Sequence, residues 1–264
     1  MGGFEAVDER YSALYQRAVE AAAADERIVR VDVHGSVATG TADKWSDLDL
    51  KVIVREADLA AVVGESALFI DAITPTVLAD SPLAPFIVNA VTTDGLTLDV
   101  SFWAENAPEW PLPTGLQVGF LSGRRYDNYP DAVAYAVSES LRGLAGPLIK
   151  FLQRGQHIAH FMGLGHTLSL LITVLLAESD APIDGRRPAD ALNKEQRWVI
   201  SNLPAAQATF QSLLAYEFAI AKEVLTRGRA LFEHYGLEWP RDFEAVAAKN
   251  LREQLGVATK FLSE

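Results

Sequence analysis

From Phe4 to Ala24 the apolar positions Phe4, Ala6, Tyr11, Leu14, Tyr15 and Ala18 recur at helical spacing, which predicts an amphipathic helix. At Ile28 the period changes. Val29, Val31 and Val33 alternate with Arg30, Asp32 and His34, the two-residue repeat of a strand. Asp49 to Val54 predicts a second strand, entered from a Ser46-Asp47 turn. Ala57 to Val63 suits a short helix closed by Gly64, and Ala67 to Ile73 reads as another strand. Phe86 to Val91 and Leu96 to Phe102 are β-rich runs on either side of Thr92-Thr93-Asp94-Gly95, and a link ending in Asp-Gly is a hairpin signal.

The pattern then shifts. Ala104 to Gly115 holds three of the twelve prolines and reads as a linker. Beyond it nearly every segment is helical in period. Pro130 suits a first helical turn, with Asp131 favourable against the helix dipole. Pro147 to Ala177 is long and apolar on more than one face, Ser179 to Asn193 is a loop, Ala205 to Tyr235 is a long helix ended by Gly236, and Pro240 to Ser263 is a last one. The expected fold class is therefore α/β (α+β), with a mixed sheet over 1–110 and a helical bundle over 111–264. No internal repeat or low-complexity tract interrupts this layout.

Composition narrows the functions. With 264 residues, nearly half of them apolar, a sizeable core is expected. There is no cysteine, which excludes disulfides and thiolate metal sites. The start MGGFEAVDERY carries neither a secretory pattern nor the Ser or Thr of a myristoylation signal. The apolar run Leu168 to Ala177 is too short to span a bilayer. The expectation is a cytoplasmic protein without a membrane partner. The net charge of −12 and the lack of a basic cluster argue against a nucleic-acid partner. Such a surface favours small cationic substrates instead.

The chemistry is concentrated in HGSVATGTADKWSDLDLKVIV, residues 34–54. Asp47 and Asp49 stand two apart on an extended segment, so both side chains leave one face, with Leu48 and Leu50 on the other. Two carboxylates 4 Å apart repel by about 4 kcal/mol at an effective dielectric near 20. Protonation or a bound cation must offset that. A pair of hard oxygens with room for water and phosphate suits Mg²⁺ better than Zn²⁺. Gly35-Ser36 follows a strand, where glycine lets the backbone approach a phosphate, successive N–H groups form an anion nest, and the Ser36 hydroxyl adds a donor. Phosphate plus paired carboxylates is the equipment of a two-metal in-line displacement.

A strand, Gly-Ser, a ten-residue loop and Asp-Leu-Asp opening an apolar strand together resemble the signature of the polymerase-β-like nucleotidyltransferase superfamily. Its third carboxylate comes from a later strand. Asp99 in LTLDVSFW matches, facing away from Leu98 and Val100, while Asp94 belongs to the turn and Glu105 and Glu109 crowd the linker. The two-part layout is similar to that of the antibiotic nucleotidyltransferases, which add AMP to aminoglycosides or lincosamides. Short stretches such as Gln153-Arg154-Gly155-Gln156 resemble the lincosamide group. The resemblance implies that Gly35 and Ser36 hold the triphosphate of ATP. In the same loop as Ser46, Lys44 can touch phosphate or stay solvated, and Lys150 and Arg154, spaced i, i+4 in the helical half, can reach the triphosphate or form a polar stripe. The resemblance also implies that Asp47, Asp49 and Asp99 bind Mg²⁺, two ions in all, in a cleft between the halves. Asp99 would also accept the proton of the attacking hydroxyl. Many relatives carry Glu there, and Asp is shorter by one methylene.

The other candidates each have a plainer use. Trp45 is expected to anchor its loop, and His34 to pack beneath it. His157 and His160 have a spacing that can share a ligand, but no third ligand is evident on that helical face. Phe210, Tyr216, Phe218, Phe232 and Tyr235 read mostly as core. The function expected is nucleotidyl transfer to a hydroxyl of a small molecule, with antibiotic resistance one consequence. Nucleotidylation of a protein and non-catalytic nucleotide binding are the alternatives, and a homodimer is left open.

Overall fold

A computed structural model describes residues 4–84, 86–107, 128–181 and 188–262. The chain divides into two units, Met1–Gly119 and Phe120–Glu264. Most of the linker expected around Ala104 to Gly115 lies outside the described residues.

In the first unit, α1 (Arg10–Ala23) leads to β1 (Ile28–Val33), α2 (Gly35–Thr39) and β2 (Leu48–Val54). Then come α3 (Leu59–Gly64), α4 (Ser66–Ile73), β3 (Thr76–Ala84), β4 (Ile87–Thr92) and β5 (Thr97–Ala104). The five strands form one mixed sheet in the order β1-β2-β5-β4-β3. Only β2 and β5 run parallel. Leu48, Leu50, Val52 and Val54 are buried with Leu98, Val100 and Phe102, in one core with Tyr11, Leu14 and Ala18 of α1 and Phe69, Ile70 and Ile73 of α4. Burying each such aliphatic side chain is worth about 1.5–3 kcal/mol.

Three local expectations change. Ala67 to Ile73 is helix, not strand, because Phe69, Ile70 and Ile73 are buried at positions that share a helical face. β1 does not alternate cleanly. A bulge between Ile28 and Arg30 puts one extra residue in the strand, so that Ile28 and Val31 are both buried and Val29 is exposed. The β3 strand, absent from the sequence reading, contains Pro82, which an edge position tolerates because no ladder donor is needed there.

The second unit contains α5 (Tyr129–Ala145), α6 (Pro147–Gln153), α7 (His157–Glu178), α8 (Lys194–Ser201), α9 (Phe210–Tyr235) and α10 (Arg241–Leu255). The run from Pro147 breaks into α6 and α7 at Gly155, which has φ +65°. α8, which the sequence reading left unassigned, starts just after the expected loop on a reciprocal cap between Asn193 and Gln196. α5, α7 and α9 pack on one another and α10 packs on α5. Asn250 donates to the carbonyl of Ala145 at 2.8 Å and satisfies the end of α5. α7 is longer than its apolar run, and its length and composition would suffice to cross a membrane. Its second half buries Leu170, Leu171, Val174 and Leu175 inside the bundle, while Ile158, Phe161 and Met162 of its first half are exposed.

Candidate active site

The parallel register of β2 and β5 places Asp49 opposite Asp99, and Lys51 opposite Ser101. Their neighbours Leu48, Leu50, Leu98 and Val100 are at most 1% exposed on the other face. The alternation that builds the core therefore also puts the two carboxylates side by side on the opposite face.

Gly35 meets this pair from the end of β1. It has φ +59°, and a Cβ added there would stand 2.0 Å from Oδ2 of Asp49. The Asp49 carboxylate thus lies directly against the glycine backbone. His34 donates its backbone N–H to the Asp49 carbonyl at 2.8 Å, which ties the turn to β2. Gly35 and Ser36 open α2, whose first N–H groups have no intrahelical acceptor. Gly40, with φ +70°, ends that helix, and Thr41 donates back to the Ser36 carbonyl at 3.0 Å.

Asn89 was not foreseen. It is 6% exposed on β4, opposite Asp99, and its amide donates to Asp99 Oδ1 at 2.6 Å. That bond fixes the rotation of the carboxyl group. Tyr11 also joins the margin of the site. Its hydroxyl accepts from the Thr97 backbone at 3.2 Å, and burial, with smaller contributions that include the Asp47 charge, pushes its ionisation up to about 12.

The remaining candidates have other placements. Asp47 sits half-buried just before β2. Ser46 is buried, and its hydroxyl donates to Asp43 Oδ1 at 3.1 Å and accepts from the Asp43 N–H at 3.0 Å. It staples the loop. Lys44 holds its ammonium over the Trp45 ring, 4.6 Å from the centroid, and Lys51 does the same over Trp103 at 4.4 Å. His34 is exposed rather than packed beneath the loop. Asp94 pairs with Arg10 at 2.9 Å in the hairpin turn, Glu105 is exposed, and Glu109 lies outside the described residues. Lys150 is on α6, and Arg154 caps that helix by donating to the Lys150 carbonyl at 3.1 Å. Among the described residues no three His, Asp or Glu side chains converge as a ligand set.

Residues 16–105 match the nucleotidyltransferase domain family, over the same stretch that carries Gly35, Asp49 and Asp99. This segment is a nucleotidyltransferase domain. The nucleotidyltransferase domain accounts for the mixed sheet, and the helical unit follows it. No curated protein sequence matches the chain significantly. Among solved structures, an aminoglycoside 6-adenyltransferase from Bacillus subtilis aligns at 13% identity over 89% of this chain and 95% of its own, with a TM-score of 0.34. The STING-associated CdnE c-di-GMP synthase from Capnocytophaga granulosa aligns at 13% identity over 86% of this chain and 83% of its own, with a TM-score of 0.30. Likeness at that level says nothing about the acceptor.

Proposed function

We propose that this chain transfers AMP from ATP to a hydroxyl of a small molecule and releases pyrophosphate. The observation that carries the reading is the Asp49–Asp99 register pair, with the Asp49 carboxylate lying against the Gly35 backbone. Gly35 and Ser36 would hold phosphate through the first N–H groups of α2 and the serine hydroxyl.

The donor set fits Mg²⁺. That ion is held by one or two carboxylates together with water and substrate phosphates, not by an all-protein cage, so a side-by-side carboxylate pair suits it. Asp49 and Asp99 would hold it, with Asp47 next along the chain. When bound, it would neutralise the charge that develops on the transferring phosphate.

The chain's own residues carry the proton and the alignment. Asp99, held by Asn89, accepts the proton of the acceptor hydroxyl. The new O–P bond forms at the α-phosphorus as the bond to pyrophosphate breaks. Aminoglycosides and lincosamides are the first acceptors to test, the former supported by the chain's negative charge.

The deciding experiment is mass spectrometry of an acceptor panel incubated with the protein, ATP and Mg²⁺. The expected product is one acceptor heavier by one AMP, formed by the parent and not by Asp47→Asn or Asp49→Asn. Pyrophosphate release by either variant at the parent rate would refute the assignment.

A further inference from the structure

The helical unit contains a cavity of about 270 Å³ walled by α5, α6, α7 and α9. Leu148, Phe151, Leu170 and Ala221 supply an apolar lining. Two carboxylates, Glu139 and Glu217, also line it, and the side chain of each is only 8% exposed.

The two acids are not equivalent. Glu139 has both oxygens engaged: Arg142 donates to Oε2 at 2.7 Å and to Oε1 at 2.6 Å, and His166 Nε2 lies 3.1 Å from Oε1. Glu217 accepts one hydrogen bond, from the Thr167 hydroxyl to Oε1 at 3.2 Å. His160 Nε2 is 3.1 Å from that same oxygen but does not meet hydrogen-bond geometry. No described residue bonds to Glu217 Oε2. That oxygen is not fully enclosed and is open to a ligand, to which a hydrogen bond from a cationic donor would be charge-assisted. The permanent charges facing the cavity are those of Glu139, Glu217 and Arg142, one negative charge in sum, and the rings of His160 and His166 line it beside them.

We propose that this cavity binds a small monoamine, its ammonium on Glu217 and its apolar body along Leu148, Phe151, Leu170 and Ala221. Its volume falls below the roughly 300–1,000 Å³ of pockets for drug-sized ligands, so the body is a small ring or a short chain. One unmatched carboxylate takes one charge. A polycationic sugar would leave its other ammonium groups without partners. The site lies wholly in the helical unit and does not rest on the nucleotidyl-transfer reading.

The test is isothermal titration of the full chain, without nucleotide or metal, with cyclohexylmethylamine and with the neutral isostere cyclohexylmethanol. The amine is expected to bind about tenfold or more tighter than the alcohol. Glu217→Gln, verified as folded by circular dichroism, should erase that preference, and Asp47→Asn should leave it intact. Equal affinities, no binding of either probe, or a preference that survives Glu217→Gln would overturn the proposal. Should Glu217→Gln not fold, the His160 and His166 ring resonances of the parent decide. They shift on amine addition if the site is correct, and their constancy refutes it.

Discussion

Asp49 occupies the space that any side chain on Gly35 would need: its Oδ2 stands 2.0 Å from where a Cβ at Gly35 would be. Gly35→Ala must therefore displace the carboxylate and also strain a backbone at φ +59°. We expect loss of nucleotidyl transfer by at least ~100-fold, with a stability loss of about 1–2 kcal/mol from the left-handed backbone. Pyrophosphate release alongside urea denaturation checks this. Transfer within a few-fold of the parent would show that the contact is not required.

Asn89 acts through Asp99. Asn89→Ala removes the 2.6 Å bond that orients the Asp99 carboxyl and should lower kcat by about 10–100-fold with little change in the KM for ATP. A rise in KM alone would place Asn89 in substrate binding instead.

Strands β1, β2, β4 and β5 were legible in the sequence, and so was the pairing of Asp49 with an acid of a later strand, whereas β3 was not. The alternation of Leu48, Leu50, Leu98 and Val100 fixes which way Asp49 and Asp99 point. Asn89 was hidden by a single residue of register. With a four-residue link, Val88 would face Asp99. In the structure Leu96 joins the turn, accepting from the Thr92 N–H at 2.9 Å and donating to its hydroxyl at 2.8 Å. Asn89 moves into register with Asp99, because a one-residue slip exchanges the faces of a strand. α4 was misread for a related reason. Short apolar runs such as SALFIDAI do not distinguish strand from helix, and packing against α1 decides. The interior of the helical unit was the least legible. Glu139 and Glu217 lie on helices whose spacing says nothing about which neighbours they meet.

Glu139 gives that interior a pH dependence. Burial pushes its carboxyl up, but hydrogen bonds from Arg142 and then His166 prevail and hold it down at about 2. An unfolded glutamate protonates near 4.3, roughly. The stabilisation is therefore complete above the unfolded value and is lost as pH falls toward the folded one. The parent should exceed Glu139→Gln in stability by on the order of 3 kcal/mol at neutral pH. The gap should narrow steadily in acid. Urea denaturation at neutral and at acidic pH measures it, and a constant gap would refute the assignment.

Gly228 on α9 packs against α5 so closely that an added Cβ would lie 2.6 Å from Cγ2 of Val137. Valine is branched at Cβ and cannot swing away, so Gly228→Ala should destabilise the chain by about 1–3 kcal/mol despite alanine's better helix propensity. Gly228→Ala combined with Val137→Ala should recover part of that loss. Thermal denaturation of the single and double variants tests this, and additive effects would mean that the two residues do not touch.

The bulge in β1 and Pro82 in β3 have a consequence for assembly. They sit on the two outer strands of the sheet. One edge is twisted and carries the Arg30–Asp32 ion pair, and the other lacks a backbone donor at the proline. Neither border is a good template for a further strand. Edge-to-edge pairing of folded copies, the contact by which sheets extend from one molecule to the next, is therefore disfavoured at both borders.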